Sequence, residues 1–296
     1  MSQHLIQRVT ILGTGLIGGS FALALRNYTI GIRIAGWDRA EALREARSQD
    51  MIDDAHHGDL APALRGADLV YIALPIGVTL DLLPDIARFV PGHALVTDAC
   101  STKVRITQTA AEHFSAGGPL FLPGHPMAGK EVSGVVNADE DLFKKNSYAL
   151  ISDSGLQIDT PDSPRDPRVS AFLKILEKMD ARPFWIGAEQ HDYAVGLASH
   201  LPQLAAVALA SFLYDRLDEN GLPITLAGPG LRDTLRLAGS PYSTWRDIVL
   251  TNKEMLSAAL DLFGRRIDDL RERLGSRELE ADFDAANELY KLLRGL

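Results

Sequence analysis

His125 stands in the stretch GHPMAGKE, residues 124 to 131, ahead of a proline and among small residues. A proline biases the residue before it toward an extended backbone, so Pro126 fixes where the imidazole points. Gly124, Ala128 and Gly129 leave room for a ligand to come close. An imidazole near its ordinary value of ~6.5 accepts a proton at neutral pH, which makes His125 a candidate general base. A polar turn histidine is the competing reading. Ser101, in DACSTK, precedes a helical run and reads first as an N-cap, a role compatible with donation to a ligand. His191 in EQHDY and His200 in ASHLPQ read, on pattern alone, as helix-surface or capping histidines. Arg246, in SPYSTWRDIV, is either an exposed arginine paired with Asp247 or Asp233, or a bidentate clamp on a carboxylate. Cys100 reads as buried structure. His56 and His57 lack a spaced third ligand, so they read as a loop and no metal site is expected.

A second chemical stretch opens the chain. Gly13, Gly15 and Gly18 form GxGxxG in VTILGTGLIGGS, directly after a strand and at the start of a helix, the context a dinucleotide turn requires. Gly13 permits the tight turn, Gly15 admits a pyrophosphate, and Gly18 lets helix and strand pack closely. The N–H groups of the helix start, at Leu16 and Ile17, face the phosphates. Asp38, twenty residues after Gly18, closes the second strand, where a carboxylate accepts from the ribose hydroxyls. A carboxylate there repels a 2′-phosphate, so NAD is favoured over NADP, and Arg39 weakens that preference. A capping glycine turn beside a surface Asp is the bland alternative.

These residues need elements to hold them. Up to residue 187, short apolar strands alternate with helices: RVTILG, RIAGWD, ADLVYIALP, ALVTDA, LFLPG, SYALIS and RPFWIG are the strands. That alternation predicts a parallel sheet covered on both faces. Chemistry in such a sheet sits beyond the carboxyl ends of the strands, where Ser101 follows ALVTDA and His125 follows LFLPG. DSGLQIDTPDSPRDP, 153 to 167, reads as a surface connection. Beyond Gly187 the pattern is helical, and Pro202 is expected to start or kink a helix. Trp245, Val249, Leu256, Leu260, Phe263, Ile267, Leu270 and Leu274 predict one long amphipathic helix. The expected fold is α/β: a Rossmann-type dinucleotide-binding domain, 1–187, and an all-helical domain, 188–296. The second must fold over the cofactor, and its apolar surface suggests a homodimer.

Composition narrows the functions open to the chain. Its 296 residues are 46% hydrophobic and 23% charged, enough for two domains with a sizeable core. No apolar run is read as reaching membrane-spanning length, and the N-terminus has no signal pattern. One cysteine excludes an intrachain disulfide and fits a reducing cytoplasm. A net charge of −9 argues against nonspecific nucleic-acid binding. An anionic small substrate must therefore meet a local cation.

LGTGLIGGS, DACSTK, GHPMAGKEVSG, HDYAVGLASHLPQ and GSPYSTWRDI, in that order, resemble the prephenate/arogenate dehydrogenase family of tyrosine biosynthesis across nearly the whole chain. The resemblance implies that His125 hydrogen-bonds the ring hydroxyl of prephenate and takes its proton as hydride leaves for NAD. It implies that Ser101 bonds the same hydroxyl, Arg246 holds a substrate carboxylate, His200 lines the substrate pocket and Glu131 supports the site. Loss of the ring carboxylate as CO2 then gives 4-hydroxyphenylpyruvate. Against the family pattern, no fused chorismate mutase or C-terminal regulatory module is expected, so any tyrosine inhibition should act at or near the active site. Arogenate in place of prephenate is the nearest rival reading. A nucleotide-sensing regulator without catalysis is a second, and a β-hydroxyacid dehydrogenase, which would need a lysine motif in the helical half, is a third.

Overall fold

The computed structural model describes residues 6–130, 132–152, 166–217 and 221–295. Six strands, β1 (Arg8–Leu12), β2 (Arg33–Trp37), β3 (Asp54–His56), β4 (Leu69–Ile72), β5 (Leu95–Asp98) and β6 (Leu120–Leu122), form a parallel sheet in the order β3-β2-β1-β4-β5-β6. β4 and β5 are buried along their whole length, as expected of strands covered on both faces. The covering helices are α1 (Leu16–Tyr28), α2 (Ala40–Ser48), α3 (Ala61–Leu64), α4 (Ile76–Phe89) and α5 (Val104–His113). Strand order reverses between β1 and β4, the switch point where open sheets of this kind bind ligands.

Three predicted features come out differently. LFLPG joins the first sheet through β6, but SYALIS and RPFWIG do not extend it. β7 (Gly124–Pro126) pairs antiparallel with β8 (Ser147–Ile151), which pairs parallel with β9 (Arg182–Ile186), making a second, three-stranded sheet. The chain turns out of the first sheet at Gly124, where a Cβ would lie 2.9 Å from the Tyr148 ring and 3.1 Å from the Asp98 carbonyl oxygen. The two sheets share one core through Phe21 of α1, stacked on Tyr71 at 3.8 Å, and Phe172 of α6 (Pro167–Lys178), edge-on to Tyr148. The second difference is β3, where His56 is a strand residue and not part of a loop. Of the predicted connection 153–167, residues 153–165 lie outside the described residues; Asp166 caps α6 by accepting the Arg168 N–H at 2.8 Å.

The third difference is in the helical half. The predicted long helix is two: α11 (Tyr242–Thr251) and α12 (Lys253–Glu272), after the short α9 (Leu222–Thr225) and α10 (Pro229–Leu235). The break falls at Asn252, which is buried and turns its amide inward to donate to the Asp192 carbonyl at 2.9 Å. Ahead of them, α7 (Ala188–Val195) runs through a π turn, Gly196–His200, into α8 (Leu201–Tyr214). Pro202 has no N–H for a regular ladder and its ring crowds the carbonyl four residues back, so the wider turn just before it absorbs the mismatch. By length and composition Ala188–Tyr214 is apolar enough to cross a membrane, a correction to the reading that no run reaches that length. Its buried His191, Asp192, His200 and Gln203 instead bond to groups inside the protein. The last helix, α13 (Leu279–Arg294), has no buried residue and leaves Phe283, Leu289, Leu292 and Leu293 more than half exposed.

Candidate active site

The glycine turn joins β1 to α1 at the switch point. Gly13 has φ +91°, and a Cβ there would sit 2.4 Å from the Ala73 carbonyl oxygen. A Cβ on Gly18 would sit 1.9 Å from the Gly13 carbonyl oxygen, so both glycines are required for the backbone to close on itself. Gly15 differs. Nothing lies within 4 Å of its Cβ position, and as the N-cap of α1 it offers no side chain to the first-turn N–H groups. Open space in front of unpaired helix N–H groups is the environment a pyrophosphate needs. Asp38 is held still by three donors: Thr14 N–H at 2.7 Å and Thr14 Oγ1 at 3.1 Å on one oxygen, Arg39 N–H at 2.6 Å on the other. Gly13, Gly15, Leu16, Ile17 and Asp38 line a cleft of about 1120 Å3, which fits a dinucleotide. The far wall is Gly129, Lys130 and residues 132–134 on one side and Ser240, Pro241 and Thr244 of the helical half on the other.

His125 lies in β7, beyond the end of β5. Its strand is tied to β5 by Asp98, which is fully buried and accepts from Gly124 N–H at 3.2 Å and Cys100 N–H at 2.9 Å. Lys103, equally buried, pairs with Asp98 and donates to the Gly124 carbonyl at 2.6 Å. Removing either member of such a buried pair leaves an uncompensated charge and is strongly destabilising, so the fold depends on both. The His125 ring is half-buried, and its Nδ1 is 2.9 Å from Nε2 of His191. His191 Nδ1 in turn donates to Asp192 Oδ1 at 2.8 Å. Burial first, and then electrostatic repulsion by its neighbours His191, Lys103 and His200, hold His125 well below its ordinary value. At neutral pH it is therefore an uncharged imidazole, able to accept a proton.

Ser101 is half-buried in the bend after β5, but it does not cap α5. That helix begins at Val104, and its first N–H groups are closed by Asp192 from the other half of the chain, with Lys103 N–H on Oδ1 at 2.7 Å and Val104 N–H on Oδ2 at 2.9 Å. His200 and His191 are corrected too, since each is only 2% exposed. His200 meets Trp245 edge-on at 5.8 Å, and burial pushes it down to about 4. Arg246 is exposed and its Nε donates to Asp247 Oδ1 at 2.8 Å, the pairing expected above, which leaves its outer nitrogens open to solvent. Asp247 Oδ2 accepts the Gly77 N–H at 2.9 Å, and the Arg246 guanidinium beside it holds its carboxyl below the usual range. Glu131 lies outside the described residues.

The residues missed by sequence reading are Asp98, Lys103, Asp192 and Asn252, and His191, which reads as a surface or capping histidine, is buried. The adjacent His-Asp of EQHDY was the available signal, because a carboxylate beside an imidazole can fix its tautomer. Among the described residues, no group of three or more His, Cys, Asp or Glu could hold a metal ion.

A parallel sheet with a nucleotide-sized cleft at its switch point, closed by a helical half that carries acid–base groups, defines a two-domain dinucleotide-dependent oxidoreductase. Sequence comparison narrows the class. The chain belongs to the prephenate dehydrogenase family: residues 21–182 match its nucleotide-binding domain and residues 187–294 its dimerization domain. It is 32% identical over 277 residues to a prephenate dehydrogenase of Lactococcus lactis subsp. cremoris, covering 93% of this chain and 73% of that protein. It is 27% identical to a cyclohexadienyl dehydrogenase of Zymomonas mobilis, covering 92% of this chain and 90% of that one. Among solved structures, prephenate dehydrogenase from A. aeolicus in complex with hydroxyphenyl propionate and NAD+ matches with a TM-score of 0.84 at 27% identity, over 98% of this chain and 97% of that one.

Proposed function

We propose that this chain is an NAD-dependent prephenate dehydrogenase, converting prephenate to 4-hydroxyphenylpyruvate and CO2. The observation that carries the assignment is His125, held beyond the carboxyl end of β5 by the buried Asp98–Lys103 pair, within the matched family. The Gly13–Gly18 turn and Asp38 would hold NAD, which would supply the hydride acceptor when bound. His125 accepts the proton of the ring hydroxyl as hydride leaves the same carbon, and Ser101 bonds that oxygen. The ring carboxylate leaves as CO2 and its bonding electrons make the ring aromatic. The overall equation releases no proton, so His125 returns its proton to the phenolic oxygen. Arg246, with Nε fixed on Asp247, turns its outer guanidinium nitrogens to a substrate carboxylate, and His200 lines the substrate pocket. Residues 1–187 form the nucleotide domain and 188–296 the substrate domain.

The exposed apolar faces of α12 and α13 support a homodimer through the helical half, in line with the matched dimerization domain. The lone buried Cys100 supports a cytoplasmic enzyme, whose partner molecules are its substrate and its own second copy. The test is NADH or NADPH formation by purified protein with prephenate and arogenate, each against NAD and NADP. Turnover of prephenate with NAD carries the proposal. A larger kcat/KM for arogenate would instead assign the cyclohexadienyl or arogenate activity. No turnover in folded protein that binds NAD would leave the regulator reading. Light scattering giving a monomer mass would remove the dimer.

A further inference from the structure

His191 and Asp192 do more than fill the domain boundary. The Asp192 carboxylate only accepts hydrogen bonds when ionised, so the 2.8 Å contact from His191 requires the proton to sit on His191 Nδ1. With one proton on that ring, its Nε2 carries a lone pair. The 2.9 Å contact between that Nε2 and His125 Nδ1 then requires the proton of His125 to sit on Nδ1. The aspartate that ends this hydrogen-bond chain is fixed from outside it. Asp192 is pinned by the Lys103 and Val104 N–H groups and by Asn252 on its carbonyl, and the two rings stand nearly edge-to-face at 5.1 Å.

We infer that His191 is a positioning residue that sets the tautomer of His125, leaving Nε2 of His125 as the atom that takes the substrate's proton. The step this serves rests on the function proposed above. The hydroxyl O–H bond breaks and an Nε2–H bond forms as the C–H pair leaves as hydride. The resulting imidazolium then faces a neutral imidazole backed by a carboxylate, and the proton goes back to the phenolic oxygen once CO2 has gone. Without His191, the lone pair and the proton of His125 would be free to exchange places. Part of the population would then present N–H to the substrate where a base is needed.

Two measurements test this. The first needs no substrate: 15N NMR of histidine-labelled protein at neutral pH, with resonances assigned by single substitutions. His125 is expected to show a protonated Nδ1 and an unprotonated Nε2. The reverse pattern, which a doubly protonated His191 would impose, overturns the inference. The second is kinetic. His191→Leu, which removes the acceptor, is expected to lower kcat by ~10²-fold with NAD affinity unchanged, and His191→Gln, whose side-chain oxygen can again accept from Nδ1, is expected to recover most of the loss. Equal kcat in His191→Leu and wild type overturns the positioning role. The tautomer is read whether or not the protein turns over prephenate, so a failure of the proposed reaction stays separate from a failure of the relay.

Discussion

The Gly77 N–H donates to Asp247 Oδ2 at 2.9 Å, so the start of α4 is capped by a residue 170 positions further along the chain. α4 has Pro75 at its N-cap and no side-chain cap of its own. α5 repeats the arrangement with Asp192. Two helix starts in the nucleotide half are thus closed by carboxylates from the helical half, and the first of these carboxylates also holds Arg246. Asn at 247 can still cap but gives up the charge that orients the arginine, while Ala gives up both. Asp247→Ala is expected to lose about 1–2 kcal/mol of stability and Asp247→Asn much less. Both should raise KM for the substrate. Thermal unfolding with initial-rate kinetics checks this, and a normal KM in both variants would detach Arg246 from substrate binding.

Arg246→Gln removes the local cation that a chain of net charge −9 needs for an anionic substrate. Loss of a charged partner costs a bound carboxylate ~2–5 kcal/mol, so KM should rise at least about 30-fold with stability little altered. An unaltered KM would contradict the assignment.

Gly15 and Gly18 separate binding from folding. Gly18→Ala drives a Cβ to 1.9 Å from backbone and should destabilise the fold by several kcal/mol, roughly the scale of an overpacked core. Gly15→Ala meets no atom of the protein, so it should fold normally and lose affinity for NAD. Calorimetry and a dinucleotide titration distinguish them; a Gly15→Ala protein that binds NAD as wild type would show that the pyrophosphate lies elsewhere.

The glycine turn was legible because its pattern is local, three glycines within six residues between a strand and a helix, although the Ala73 carbonyl oxygen that Gly13 makes room for lies 60 positions away. His125 was legible for the same reason, since Pro126 and the small residues beside it act on their own backbone. Ser101 was misread as a cap because the true cap comes from Asp192, 89 residues away from Lys103, and no local pattern encodes that. The break at Asn252 was hidden in the same manner. Its apolar stripe continues in register on both sides, and only the bond to the Asp192 carbonyl shows why the helix must stop. β3, with an aspartate and a histidine in three residues, has no apolar alternation to read.

Asp38→Ser tests the cofactor side. The carboxylate is fixed by Thr14 and Arg39 N–H, so its charge faces the ribose from a single position. Removing it should lower the NAD/NADP ratio of kcat/KM, and a constant ratio would assign the preference to another residue.

Acid stability follows from the buried histidines. His200 has its ordinary value of ~6.5 when unfolded and is pushed down to about 4 by burial in the fold. Between those values the unfolded chain binds more protons than the folded one, so unfolding free energy rises with pH across the window. Above pH ~6.5 the penalty is absent, and near pH 4 it reaches about 3 kcal/mol for this residue alone. His125, held low by burial as well, acts in the same direction. The carboxyls with lowered values, Asp53, Asp54, Asp139, Asp166 and Asp247, also lose stability as pH falls, but through folded values below 3.8, so the window above pH 4 reports chiefly on the histidines. Tm measured from pH 7.5 to 4.5 should therefore fall in the wild type and fall less in His200→Gln, which cannot take up the proton. Parallel decline in the two proteins would mean that His200 is already protonated in the fold, and that its place against Trp245 is solvated and not closed.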